Sequence, residues 1–250
     1  SRAVARPPVR TLRKCLSAIL SSDYPSYEVI VVNDASTDKT QEIAKKFPCA
    51  VINLEKNQGP ANARNVGAAA AKGEILVFFD ADIVIEKDAL SKFAAAHKNP
   101  NIKMCQSQIF PKSINRGFAR DLLATVWNYH LVLMESQPTF VSTMSCSIEK
   151  KVFDEVGGFN TLFKSAGGEE FEMGQVLKQH GYDLYLDQSI SVHHHFQGFW
   201  RRCKTLFNRS TIYSDLILRK KIKLNKGNGT SAQGINAALA VASAGVLGIS

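Results

Sequence analysis

Gly73–Asp82, GEILVFFDAD, decides the fold. Its five consecutive apolar residues, Ile75–Phe79, predict a strand covered on both faces, as in a parallel sheet. The strand ends in Asp80-Ala81-Asp82. In open α/β sheets, ligands bind beyond the carboxyl ends of the strands. Two carboxylates one residue apart at such a tip are costly unless a cation sits between them. Oxygen ligands there suit Mg²⁺ or Mn²⁺, an ion that commonly bridges a phosphate. The plain alternative is a solvated Asp-x-Asp turn, so the neighbouring motifs have to decide.

Upstream, Glu28–Asn33 predicts a second buried strand that runs into Asp34-Ala35-Ser36-Thr37-Asp38 and a helix over Lys39–Phe47. Ser36 or Thr37 can cap that helix. A loop between a strand's carboxyl end and a helix's amino end suits the polar groups of a nucleotide, or is a capped turn without a ligand. Ala50–Leu54 reads as a third strand, Asn57-Gln58-Gly59-Pro60 as a turn, and Ala61–Ala71 as an Ala-rich helix bearing Arg64 and Asn65. Its small residues allow close packing on a sheet, and Arg64 can point at the same phosphates as the Asp-x-Asp pair. Nearer the N-terminus, Thr11–Ser21 places Leu12, Cys15, Leu16, Ile19 and Leu20 on one helical face. This β-α alternation predicts an α/β domain with a mostly parallel sheet flanked by helices.

Downstream, a helix is expected from about Lys87 to His97, a strand over Ile102–Ile109, and a helix over Phe118–Met134 with Trp127, Tyr129 and His130. Ser142–Ser147, STMSCS, before a Glu149–Val156 helix, reads either as a stretch whose small side chains leave room for a ligand or as a buried small-residue strand. Glu169, Glu170 and Glu172 crowd a helix start, where carboxylates favour the macrodipole. That is either plain helix electrostatics or a general base. Asp183–Val192 is a last strand meeting His193-His194-His195, which can ligate a metal or form a surface patch.

The 250 residues carry a formal charge of +9 and are 45% hydrophobic, enough for one large α/β domain. Nine Lys or Arg and one Asp fall in Arg201–Lys226, so that stretch holds nearly all the excess charge. A nucleic-acid-binding domain spreads its charge over a face, and no nucleic acid partner is expected. The five cysteines include no C-x-x-C pair, which argues against a zinc knuckle and for reduced thiols. Residues 199–226 are expected to form a basic amphipathic segment on a membrane surface. Residues 227–234 read as a linker. Residues 235–250, free of charge, read as the start of a transmembrane helix in a longer parent, which places the preceding domain, residues 1–198, on the cytoplasmic side of a membrane.

VVNDASTDKT (31–40), NQGPANARNVGAAAAKGE (57–74) and FFDAD (78–82) resemble, in order and spacing, the motifs of family 2 glycosyltransferases of the GT-A fold. Val152–Asn160, with Gly157-Gly158-Phe159, and Gly168–Gly174 continue the resemblance. It implies a Rossmann-like GT-A fold and inverting, metal-dependent transfer from a nucleoside diphosphate sugar, a UDP-sugar ahead of a GDP-sugar. A lipid-linked or glycan acceptor at the membrane is implied with it. It also implies donor contacts at Asn33, Asp34, Asp38, Asn57, Gly59, Arg64 and Asp80. Mg²⁺ or Mn²⁺ would lie at Asp80, Asp82 and His194, and proton transfer at Glu170 with Glu169 beside it.

The sequence departs from the family pattern in three places. SRAVARPPVR stands where the family has its first strand, so that strand is expected to be missing. Asn33 replaces an Asp, and Glu170 stands where the family has Asp. These departures leave a rival reading, a non-catalytic nucleotide-sugar-binding or scaffold domain. A nucleotidyltransferase shares the α/β plan, but its Gly- and Arg/Lys-rich loop is not visible.

Overall fold

The structure is a computed structural model that describes residues 9–133, 138, 140–163 and 168–196. The chain divides after Phe196, and every described residue lies in the first unit. The amphipathic, linker and transmembrane segments expected at 199–250 lie outside the described residues, as do residues 1–8. Among the described residues, no helix is long and apolar enough to cross a membrane.

In chain order the elements are α1 (Val9–Leu20), β1 (Ile30–Asn33), α2 (Thr40–Ala44), β2 (Ala50–Asn53), α3 (Pro60–Ala70), β3 (Ile75–Phe79) and β4 (Ile83–Ile85). Then follow α4 (Ala89–Ala96), β5 (Met104–Ile109), α5 (Phe118–Leu133), β6 (Ser145–Glu149), α6 (Lys150–Glu155), α7 (Gly168–Gln179) and β7 (Leu184–His194). The helix and strand alternation read from periodicity is present, with β3 on the expected residues.

Sheet direction differs from expectation. β1 and β2 form a parallel pair, and the other five strands form a mixed sheet in the order β3-β6-β5-β7-β4. Within it only β5 and β7 run parallel; β3–β6, β5–β6 and β4–β7 are antiparallel. The reason is physical: an apolar run reports that a strand is covered, not which way its neighbours run. β4 was not foreseen, because three residues after Asp82 are too few to show a period.

Strand alternation divides the core between the two faces. Met104, Cys146, Ile148 and Phe78 turn to one side, where they meet Val152 and Phe153 of α6, Phe159, and Met173 and Leu177 of α7. Cys105, Val77 and Phe79 turn to the other, against Cys15 and Ile19 of α1, Ile83, Ile85 and Phe93. β3 is therefore covered on both faces, though only Leu76 in it is fully buried. On α1, Leu12 and Leu16 meet Ile43 of α2, so one amphipathic helix serves two clusters. α3 lies close on β1, and a Cβ at Gly67 would come within 3.3 Å of Val32. Neither Ser36 nor Thr37 caps α2. Instead Asp38 accepts the Thr40 N–H at 3.0 Å, a local Asx turn.

Phe93 is fully buried and Leu162 is 75% exposed. Phe93→Ala is expected to lower the unfolding free energy by about 3–5 kcal/mol, whereas Leu162→Ala changes it by less than about 0.5 kcal/mol. Denaturant unfolding of both variants checks this, and equal losses would contradict the core assignment.

Candidate active site

The Asp-x-Asp pair forms the turn between β3 and β4, closed by Ile83 N–H donating to the Asp80 carbonyl at 3.3 Å. Asp80 N–H donates to the Met144 carbonyl at 3.0 Å, and His195 N–H to the Asp82 carbonyl at 2.9 Å. The β4–β7 register sets Ile83 opposite His194, which brings His194 Nε2 to 3.6 Å from Asp82 Oδ1. Burial, with the nearby Asp80 charge, raises the Asp82 pKa to about 7. Burial also pushes the Cys15 thiol up to about 12, with Asp82 and Asp80 adding to the shift. The other histidines point elsewhere. His193 contacts Glu86 at 2.8 Å and packs on Phe110. His195 is held below the usual histidine range by burial.

Arg64 comes from α3, which starts at Pro60 with Gly59 as its N-cap. Its guanidinium donates to Asp80 Oδ1 at 3.0 Å and Glu169 Oε1 at 3.2 Å, and lies 5.7 Å from the centre of the Phe159 ring. Burial alone would lower its pKa. The charges of Asp80, Glu170 and Glu169 outweigh that, so the net shift is upward. Glu169 is fully buried, and its neighbour Glu170 is half-buried. The Thr143 hydroxyl donates to Glu170 Oε1, and Val141 N–H donates to the Glu170 carbonyl at 3.2 Å. Next to Arg64, Asn65 accepts the Phe159 N–H at 2.9 Å and donates to the Phe159 carbonyl at 2.7 Å. Gly158 adopts φ +70°, and a Cβ there would come within 2.9 Å of Asn65 Oδ1.

The expected donor loop is built from internal hydrogen bonds. Asn33 is buried; its amide donates to Asn53 Oδ1 at 3.0 Å and its Oδ1 accepts the Ser36 N–H at 3.1 Å. The Asp34 carboxylate accepts the Gln58 and Gly59 N–H groups at 2.7 and 2.9 Å, while Asn57 donates to the Asp34 carbonyl at 3.1 Å. A carboxylate of the chain itself thus sits at the amino end of α3, where anions are favoured. Ala35 between these residues adopts φ 50°. Asp38 is spent on the α2 turn.

Three carboxyl groups, those of Asp80, Glu169 and Glu170, therefore stand around one buried guanidinium, and Asp82 adjoins Asp80. That balance repels an anionic ligand unless a cation accompanies it. Asp82 and His194 offer one oxygen and one nitrogen donor to such a cation. Among the described residues no group of three or more His, Cys, Asp or Glu side chains is gathered to hold a metal. Sequence reasoning did not find Thr143, Phe159 or the Asn65 clamp. Asn65 and Phe159 lie in the resembling motifs, and Thr143 lies in the small-residue stretch Ser142–Ser147, which was read for the room it leaves and not for a contact to Glu170.

The sequence profile described as Glycosyl transferase family 2 matches residues 9–166. The chain is 29% identical over 163 residues to Glycosyltransferase AglE of Haloferax volcanii, covering 62% of this chain and 54% of that protein. It thus spans about half the length of that relative. Among solved structures it is similar to the mannosyltransferase PcManGT from Pyrobaculum calidifontis in complex with GDP-Man and Mn²⁺, with a TM-score of 0.69 at 17% identity over 97% of this chain and 73% of that one. Against S. aureus TarS 1-349 in complex with UDP-GlcNAc the TM-score is 0.55 at 20% identity, covering 76% and 57%. These two likenesses establish a shared GT-A-like α/β fold.

The Asp82 shift sets a pH dependence. Its folded pKa lies above the unfolded value, 3.8 against about 7, so between those values the folded chain holds a proton that the unfolded chain has released. Stability from this group is greatest below the lower value and is lost as pH rises through the upper one. Denaturant midpoints measured from about pH 5 to about pH 8 are expected to fall more steeply for the unsubstituted protein than for Asp82→Asn. Parallel profiles would contradict the assignment.

Proposed function

Because the chain belongs to glycosyl transferase family 2, we propose that it transfers a sugar from a nucleoside diphosphate sugar to an acceptor hydroxyl, with inversion at the anomeric carbon. The observation that carries the reading is the gathering of Asp80, Glu169 and Glu170 about the Arg64 guanidinium, with Asp82 and His194 paired at the adjoining β3–β4 turn. A site of that charge accepts a diphosphate together with a divalent cation.

Asp82 and His194, with Asp80 adjoining, would hold Mg²⁺ or Mn²⁺. When bound, the ion supplies positive charge to the departing diphosphate. Arg64 keeps Asp80 and Glu169 in place and leaves Glu170 as the more accessible carboxylate of the α7 pair. Glu170 takes the proton from the acceptor hydroxyl. That oxygen attacks the anomeric carbon on the face opposite the diphosphate, and the sugar–phosphate bond breaks. One displacement gives inversion, by the same stereochemical logic as in inverting hydrolases. The β1–α2 and β2–α3 loops, joined through Asp34, form the donor's nucleoside side. Asn33, Asp38, Asn57 and Gly59 act there by shaping the loops.

A UDP-sugar is the preferred donor and a GDP-sugar the other candidate, in keeping with the UDP-GlcNAc and GDP-Man held by the two similar structures. The acceptor is a lipid-linked or glycan hydroxyl at a cytoplasmic membrane face. The sequence supports this through the basic, aromatic stretch after Phe196.

The test is nucleoside diphosphate release from UDP-, GDP- and dTDP-sugars with and without Mn²⁺. Glu170→Gln is expected to slow transfer by at least about 10²-fold while donor binding persists, and Asp82→Ala is expected to abolish metal-dependent binding. A Glu170→Gln protein with full activity would sink the general-base role. Metal-dependent binding without turnover by any donor would favour a scaffold domain.

A further inference from the structure

We infer that Thr143 is a positioning residue for the general base, an inference that rests on the role proposed for Glu170. Thr143 is fully buried, and its hydroxyl donates to Glu170 Oε1. A Thr hydroxyl has one proton to give. Given to Oε1, it fixes the carboxylate plane and leaves Oε2 as the oxygen that receives the acceptor's proton.

The turn that carries Thr143 is fastened on three sides. Val141 N–H donates to the Glu170 carbonyl at 3.2 Å, which ties the turn to the first turn of α7. Ser142 N–H donates at 2.8 Å to Oε1 of Gln106, a fully buried residue of β5. The Met144 carbonyl accepts the Asp80 N–H at 3.0 Å. One short segment therefore joins the base on α7 to the strand end that carries Asp80 and Asp82. Glu170 lies in the first turn of α7, and the Thr143 hydroxyl bonded to its Oε1 sets the direction of the carboxylate. Positioning of this kind acts on the chemical step, because a small misplacement of a reacting group costs up to about 10²-fold in rate.

The experiment compares Thr143→Val, Thr143→Ser and Glu170→Gln on the full chain, with Mn²⁺ and whichever of UDP-GlcNAc or GDP-Man it hydrolyses, water serving as acceptor. Thr143→Val is expected to lower kcat about 10- to 100-fold with donor KM unchanged within about twofold. Thr143→Ser, which keeps the hydroxyl, restores the rate. A purely structural role would move stability without this split. Should the valine protein not fold, Thr143→Ala carries the same comparison. If Glu170→Gln is inactive while Thr143→Val keeps full kcat, the positioning role is overturned and the base role stands. If Glu170→Gln keeps full activity, or the unsubstituted chain hydrolyses neither donor, both fall.

Discussion

The structure depends most on a single buried guanidinium. Arg64 reaches from α3 to Asp80 at the end of β3 and to Glu169 at the start of α7, under the Phe159 ring. Withdrawing these charges from water is expensive, and only their mutual attraction and hydrogen bonds offset it. Several features of the sequence follow from this. α3 is built of small residues, so its backbone approaches β1 closely enough for Arg64 to reach inward. Asn65, the next residue, holds Phe159 by both backbone groups, and Gly158 is needed because a side chain there would strike Asn65. Three elements distant in sequence are thereby locked around one charge.

The same geometry explains why the carboxylates play different parts. Asp80 and Glu169 are committed to Arg64. Asp82 has no such partner; it is withdrawn from water, retains its proton to near neutral pH, and faces His194. Glu170 is turned toward Thr143. The three consecutive histidines are sorted by the strand: His193 and His194, on opposite sides of β7, meet Glu86 and Asp82 respectively. At the end of β1 Asp34 is the corresponding tie, bonding a strand-end loop to the amino end of α3.

Much of this was legible in the sequence for definite reasons. The five apolar residues of β3 and the i, i+3, i+4 spacing of Leu12, Cys15, Leu16 and Ile19 are direct consequences of burial, and burial writes itself into periodicity. The motif resemblance named Arg64, Asp80 and Asp82 together. Strand direction was not legible, because antiparallel and parallel neighbours bury the same side chains. The Arg64–Glu169 pair spans 105 residues, and no local pattern reports a contact at that range. Thr143 was hidden for another reason: a buried Thr in a small-residue stretch looks the same whether it fills space or aims a carboxylate. Ahead of α2 the Thr40 N–H is taken by Asp38, whose carboxylate reaches it from within the same turn, an outcome that residue preference alone does not decide between adjacent Ser, Thr and Asp.

The most direct test of this account is a double-mutant cycle on the unfolding free energy, using Arg64→Met, Glu169→Gln and the two together. Arg64→Met leaves buried carboxylates unpaired and is expected to cost about 3–5 kcal/mol. Adding Glu169→Gln then removes one of those charges and should recover part of the loss, giving a coupling energy of at least about 1 kcal/mol. Losses that add to within about 0.5 kcal/mol would show that the two residues act independently, and the account of a site locked around Arg64 would be wrong.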